Sequence, residues 1–260
     1  MTKAATLCLL ALSAIASHAQ TPTQTPTPPA PQKDQSFYVN QPSTTQSPTN
    51  QSPAIPRPPR NIILLDPAHG GDDPGAQLPN NAVEKEVTQA FAIRLKPLLA
   101  TAGFAVLTTH DTDTNLSTDL RAGIANHSRA IACLILHATS SGTGIHIATS
   151  ALPDDATPPR NPIPWNTAQT ASIPQSLRLA NELGLALSNA KLSVVLIRAS
   201  TPPLDNLTCP AAVIELAPLN PDTPVTDTAY QQQVAQAIIT GLAAYRTHNA
   251  PAANPAGALR

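Results

Sequence analysis

Two histidines and two glutamates have the residue types and order that a metal-dependent hydrolase needs. His69 follows one short apolar run and His137 ends a second. Glu215 lies near the end of a third, and Glu84 starts a segment with helical spacing. Two imidazoles and one carboxylate with an open fourth position form the ligand set of hydrolytic zinc sites, and a second carboxylate can activate water there. Each of the four also has a simpler explanation, as a hydrogen-bonded loop histidine or a helix-start glutamate that complements the helix dipole, but together they are consistent with a hydrolytic zinc site.

Short apolar runs and helical segments alternate along the chain. The predicted strands are 61–65, 104–107, 131–136, 145–148, 194–197 and 212–216. The predicted helices are centred on 87–98, 120–125, 177–187 and 230–245, the last with Thr226 or Asp227 as its N-cap. Strands that alternate with helices predict an α/β fold, here a single domain with a mostly parallel central sheet flanked by helices.

This fold would bring the four side chains together. In parallel α/β sheets, ligands bind outside the carboxyl ends of the strands, which is where His69, His137 and Glu215 are expected. Glu84 falls on the apolar stripe of the first helix, whereas Glu86 points away from it. A buried carboxylate is costly unless it is paired or binds a metal, so we predict a metal site at the carboxyl ends of the strands.

Neighbouring polar residues have simpler interpretations. His146 lies in an apolar alternation and is expected to face solvent or a neighbouring strand, and His110 is expected in a solvated loop. Asp66 is expected to order the following turn through hydrogen bonds to the backbone. Gly70 and Gly71 would let the backbone pass close to the metal, or would simply form a turn.

The chain ends differ in composition from this region. Residues 1–19 combine Lys3, an apolar run and small residues, which is typical of an export signal peptide. Residues 20–60 form a Pro/Thr/Gln-rich linker and 249–260 a Pro/Ala-rich tail, both expected to be disordered, which leaves 61–248 as the catalytic domain. No later apolar run is long enough for a membrane segment, and a net charge of -1 argues against nucleic-acid binding.

The cysteines and the single tryptophan leave open questions. Cys133 and Cys209 border apolar runs, and we favour buried, unpaired thiols over a disulfide there. Cys8 lies within the predicted signal. Trp165 belongs to a long insertion, residues 151–174, where it would stack on a sugar or serve as a hydrophobic plug.

Six segments, in order, resemble a known family. Residues 64–76, LLDPAHGGDDPGA, resemble the DPGHGGxDPGA opening of the zinc-dependent N-acetylmuramoyl-L-alanine amidases of the cell-separation type, the Amidase_3 family. The other five segments are EKEV at 84–87, THDTD at 109–113, LRAGIAN at 120–126, LHA at 136–138 and PAAVIEL at 210–216. The resemblance extends from residue 61 to about residue 246.

The resemblance implies a function and roles for individual residues. His69, Glu84 and His137 would be the Zn²⁺ ligands and Glu215 the catalytic carboxylate. The substrate would be the amide between N-acetylmuramic acid and L-alanine in peptidoglycan, cleaved by a periplasmic enzyme in cell-wall remodelling or daughter-cell separation. An activator protein is a further partner that the family allows.

The sequence also departs from the family pattern. Ala68 replaces a glycine, His110 an arginine and Thr139 an asparagine, and Ala217-Pro218 stands where Gly-Phe is usual. These changes affect the surroundings of the site and none of the four functional side chains. Two alternatives therefore stay open: a zinc peptidase of other specificity, and a non-catalytic peptidoglycan-binding module.

Overall fold

A computed structural model describes residues 61–154 and 164–249. The predicted signal 1–19, the linker 20–60 and the tail beyond Asn249 lie outside the described residues. The strands are β1 (Ile62–Pro67), β2 (Ala105–Thr108), β3 (Ala132–Ala138), β4 (Ile145–Ser150), β5 (Val194–Ala199) and β6 (Ala211–Leu216). The α-helices are α1 (Glu84–Thr101), α2 (Thr118–Ser128), α3 (Ile173–Asn189) and α4 (Thr228–His248). Each predicted strand and helix is present, with ends shifted by a few residues.

All six strands belong to one sheet, in the order β2-β1-β3-β6-β4-β5. The pairs from β2 to β6 are parallel, whereas β4 is antiparallel to β6 and β5 is parallel to β4. The prediction of a mostly parallel α/β sheet is therefore confirmed. One row across its centre aligns His137 of β3, Glu215 of β6 and His146 of β4. Partners in such a row point to the same face of the sheet.

Helices cover both faces of the sheet, and each face has its own apolar core. One core joins α1, α3 and α4 to alternate strand residues such as Leu134, Ile147 and Ile214. The other core joins α2 and the 3-10 helix Leu204–Asn206 to the strand residues that alternate along each strand with those of the first core. By this alternation, the row with His137 and Glu215 lies on the α2 face.

Local sequence signals set the helix ends and, with one exception, the buried faces. Asp227 caps α4 by accepting a hydrogen bond from the N–H of Tyr230, as predicted. Ser117 caps α2 in the same way. In α3, Leu177 was expected on the apolar stripe, but it is 39% exposed because Leu179 and Leu183 supply the buried contacts.

Cys133 and Cys209 form a disulfide, so the preference for unpaired thiols was wrong. Both residues are buried, as expected, but β3 and β6 are adjacent and place the two Cα atoms 6.2 Å apart, within disulfide range. The bond links the second residue of β3 to the segment that enters β6. It therefore ties together the two strands that carry His137 and Glu215.

Candidate metal centre

Three of the four predicted site residues form one cluster. His69 lies in the loop after β1, Glu84 is the first residue of α1, and His137 is next to the last residue of β3. One nitrogen of each histidine and one oxygen of Glu84 all lie within 4.8 Å of one another. The cluster lies at the carboxyl end of the sheet, where the fold leaves room for ligands.

Glu84 is the central residue of the cluster and is only 5% exposed. Its Oε1 lies 2.7 Å from His137 Nδ1 and accepts from the N–H of Ala138 at 3.1 Å. Its Oε2 accepts from the N–H of Ala76 at 2.9 Å and lies 3.1 Å from His69 Nε2. Burial alone would raise the pKa of Glu84, but these hydrogen bonds outweigh it and lower the pKa to about 2. The carboxylate is thus fixed in its ionised form.

A carboxylate on the opposite side of the ring orients His69. Its Nδ1 lies 2.8 Å from Asp73 Oδ2, while its Nε2 faces Glu84. An ionised carboxylate only accepts hydrogen bonds, so Nδ1 carries a proton toward Asp73, and Nε2 is the nitrogen that would bind a metal. The hydrogen bond from His69 also lowers the pKa of Asp73. Metal-binding histidines commonly have such a carboxylate partner.

The spacing of the cluster fits a small tetrahedral ion. Zinc ligands lie about 2.0–2.2 Å from the metal, which separates neighbouring ligand atoms by about 3.3 Å. His69 Nε2 lies 3.1 Å from Oε2 of Glu84 and His137 Nδ1 lies 2.7 Å from Oε1, so each imidazole faces a different carboxylate oxygen at close to that separation. The imidazole rings meet edge to face with centroids 5.3 Å apart, so both can point a nitrogen toward one centre.

A glycine that the sequence did not single out lies directly behind the cluster. Gly75 has φ +70°, and a Cβ there would lie 2.6 Å from His69 Cδ2 and 2.8 Å from Glu84 Cβ. By contrast, a Cβ on Gly70 or Gly71 would meet the backbone or side chain of Thr114 or Asn115. Gly70 and Gly71 therefore permit close packing between two loops. The close approach of the backbone to the cluster, which we expected at Gly70 and Gly71, is made at Gly75 instead.

A buried ion pair supports the loop that carries His69. Asp66 Oδ1 accepts from Arg121 Nη1 at 2.8 Å and from Thr109 Oγ1 at 2.6 Å. Arg121 also donates to the carbonyl groups of Pro67 and His69. The expectation that Asp66 binds the backbone of the turn was wrong, because Arg121 reaches both the carboxylate and the turn. Asp66 orders the turn through Arg121.

His110 was expected in a solvated loop, but it is 9% exposed. Its Nδ1 lies 3.0 Å from Thr109 Oγ1, which places the ring beside the Asp66 ion pair. Burial is the main cause of its lowered pKa, and the charge of Arg121 lowers it further. The resemblance to the family pattern implied an arginine at this position, and a buried imidazole lies there instead.

Glu215 lies beside the cluster and outside it. It is the sheet neighbour of His137, and its Oε2 lies 2.7 Å from Nδ1 of His146 on the next strand. The expectation that His146 faces a neighbouring strand is confirmed. Its contact with Glu215 was missed, because no sequence signal shows that β4 pairs with β6.

A cavity of about 130 Å³ opens next to the two histidines. Its walls include Arg121, Thr118, Pro202 and Pro203 on the α2 face of the sheet. A substrate could therefore reach the cluster from the α2 face.

Trp165 is not a hydrophobic plug, since it is 45% exposed and its indole N–H donates to Asp119 at 2.8 Å.

Comparisons with known proteins identify the family that the chain matches. The model of the Amidase_3 family, described as N-acetylmuramoyl-L-alanine amidase, matches residues 63–244. A germination-specific N-acetylmuramoyl-L-alanine amidase of Bacillus subtilis is 29% identical over 200 residues, 72% of this chain and 80% of that protein. An N-acetylmuramoyl-L-alanine amidase of Neisseria meningitidis serogroup B is 33% identical over 94 residues, which are 34% of this chain and only 23% of that protein.

A solved structure shows the same fold. It is that of the CwlD amidase from Clostridioides difficile in complex with the GerS lipoprotein, with a TM-score of 0.58 and 21% sequence identity. The match covers 73% of this chain and 100% of that chain. At this level of identity the likeness concerns the α/β architecture.

Proposed function

The chain belongs to the N-acetylmuramoyl-L-alanine amidase family, and on that premise we propose that it hydrolyses the amide between N-acetylmuramic acid and the L-alanine of the peptidoglycan stem peptide. The reaction would serve cell-wall remodelling or daughter-cell separation. The observation that carries the proposal is the cluster of His69, Glu84 and His137 at the carboxyl end of the sheet, next to Glu215.

We propose that His69, Glu84 and His137 hold one zinc ion. When bound, zinc polarises a carbonyl group and makes a water molecule more acidic. The chain supplies a fixed geometry for it: Asp73 orients His69, and the N–H groups of Ala76 and Ala138 hold the two oxygens of Glu84. Glu84 needs no deprotonation above about pH 4, because its pKa is about 2.

Glu215 is proposed as the proton carrier. As a general base its carboxylate would take the proton of the attacking water, and as a general acid it would deliver that proton to the amine of L-alanine as the amide bond breaks. Its side chain is 37% exposed and faces the α2 side of the sheet, so water and substrate can reach it. The neighbouring cavity would receive the groups that flank the scissile amide.

We also propose that the protein is exported through the signal in residues 1–19 and acts in the periplasm. None of the helices among residues 61–154 and 164–249 has the length and apolar character needed to cross a bilayer. An activator protein is a further proposed partner, since the CwlD amidase of the solved structure is bound to a lipoprotein.

Digestion of purified peptidoglycan tests the proposed reaction. The wild-type chain with zinc is expected to release stem peptides that begin with a free L-alanine amine, identified by mass spectrometry. The Glu215→Gln variant should keep its zinc and lose about 100-fold or more of this release. Cuts within the stem peptide would indicate a zinc peptidase instead. Absence of both zinc and products would indicate a non-catalytic binding module.

A further inference from the structure

His146 holds the carboxylate of Glu215 from the neighbouring strand. The two residues are cross-strand partners in the antiparallel pair of β4 and β6, and His146 Nδ1 lies 2.7 Å from Glu215 Oε2. The side chains are 19% and 37% exposed. Within the described residues, His146 is the one group hydrogen-bonded to this carboxylate. Glu215 Oε1 is therefore left without a protein partner in this part of the chain.

The far edge of the His146 ring is enclosed by backbone. Gly142 has φ +77°, and a Cβ there would lie 2.8 Å from Cε1 and 2.9 Å from Nε2 of His146. The loop before β4 thus packs against the Cε1–Nε2 edge of the ring, and a larger residue at this positive φ would be strained and would displace the ring. The ring is confined between this loop and Glu215, which keeps Nδ1 directed at the carboxylate.

The chemistry of the pair assigns its proton. An ionised carboxylate only accepts hydrogen bonds, so at 2.7 Å the proton must lie on Nδ1 of His146. A bond to a charged acceptor is among the stronger hydrogen bonds in proteins. It immobilises one oxygen of a glutamate that otherwise has several rotatable bonds.

We propose that His146 is a positioning residue for the reaction assigned to Glu215. Its Nδ1–H fixes Oε2, so that Oε1 is presented to the attacking water in one orientation. This inference rests on the proposed function of Glu215 and names a residue that neither binds zinc nor touches the substrate. Loss of the hydrogen bond should lower kcat and leave KM and zinc content unchanged.

A pair of substitutions separates positioning from packing. His146→Asn keeps an N–H donor on the atom attached to Cγ, whereas His146→Leu keeps an apolar side chain of substantial volume and has no donor. We expect kcat of peptidoglycan cleavage to fall about tenfold or more for His146→Leu, since small misplacements of reacting groups have effects of this size. For His146→Asn we expect a loss of about threefold or less, because the hydrogen bond is kept. KM and the zinc content should match those of the wild type in both variants.

Two results for kcat would overturn the inference. One is an equal loss of kcat in His146→Asn and His146→Leu, which would mean that the donor is irrelevant. The other is a His146→Leu variant as active as the wild type. A loss of zinc in His146→Leu would also count against it, because the role would then concern the metal site.

Nitrogen-15 NMR of the full chain provides a readout that does not depend on activity. The Nδ1–H signal of His146, identified by its absence in His146→Asn, should be slow to exchange in the wild type and should shift or disappear in Glu215→Leu. Absence of a protected Nδ1–H in the wild type would refute the inference even in an active enzyme. A chain that shows this signal but releases no peptides would instead refute the proposed function.

Discussion

Removal of the Arg121 guanidinium should be among the most damaging single changes outside the metal cluster. Arg121 is 5% exposed and is paired at 2.8 Å with Asp66, which is 3% exposed. The variant Arg121→Met keeps the apolar stem but leaves the carboxylate with Thr109 as its remaining hydrogen-bond partner. It also removes the donor to the carbonyl groups of Pro67 and His69.

The size of the effect follows from the burial of both charges. Breaking a buried ion pair by removal of one partner costs about 3–5 kcal/mol, because an uncompensated charge stays in the interior. We expect a decrease of this size in the free energy of unfolding, measured by urea denaturation. Arg246→Met is the matched control. Its guanidinium lies 4.4 Å from the Phe104 ring at a partly exposed site, so its removal should cost at most about 1 kcal/mol.

A second background tests the cause of this loss. In Asp66→Asn the buried carboxylate is neutral, so the additional substitution Arg121→Met should cost at least about 1 kcal/mol less than it does in the wild type. A loss below about 1 kcal/mol for Arg121→Met alone would refute the reasoning. So would an equal loss in both backgrounds.

Three further outcomes follow from the same structure. Gly75→Ala should weaken zinc binding by about tenfold or more in calorimetric titration. The cause is left-handed backbone strain of about 1–2 kcal/mol together with the steric clash of the new Cβ with His69 and Glu84. In the control Gly123→Ala, the added Cβ meets nothing within 4 Å, so zinc binding should be unchanged. Replacement of both Cys133 and Cys209 by alanine opens a loop of 76 residues and should lower the free energy of unfolding by about 4 kcal/mol, and an unchanged Tm would contradict this. In the metal-free protein, the pKa of Glu84 lies below its ordinary value of 4.5, so its stabilising contribution is complete above pH 4.5 and is lost as the pH falls toward 2. Glu84→Gln should reduce this acid sensitivity of the free energy of unfolding in urea titrations. An unchanged pH profile would argue against this role of Glu84.

The elements and the convergence of His69, Glu84 and His137 could be predicted from the sequence because their signals are local. Apolar runs and helical spacing identified each strand and each α-helix, and the position of Glu84 on the stripe of α1 predicted its burial. The convergence of His69 and His137 followed from one general property of parallel sheets, namely that the carboxyl ends of the strands share an edge.

The contacts that were missed depend on which elements are neighbours in space. The disulfide requires β3 beside β6, and the pair of His146 with Glu215 requires β4 to join that sheet in the antiparallel direction. Nothing in the sequence near Cys133 or His146 carries this information. The burial of His110 likewise results from its contact with the Thr109 and Asp66 network, whose members are distant in sequence.

The most direct test of the zinc site compares two glutamates at the start of the same helix. Glu84 is buried in the cluster, whereas Glu86 is exposed. We expect about one zinc per chain, and release of stem peptides from peptidoglycan, for the wild type and for Glu86→Gln. Glu84→Gln should retain little zinc and release no peptides. Full zinc content together with peptide release in Glu84→Gln would contradict the assignment of this cluster as the catalytic metal site.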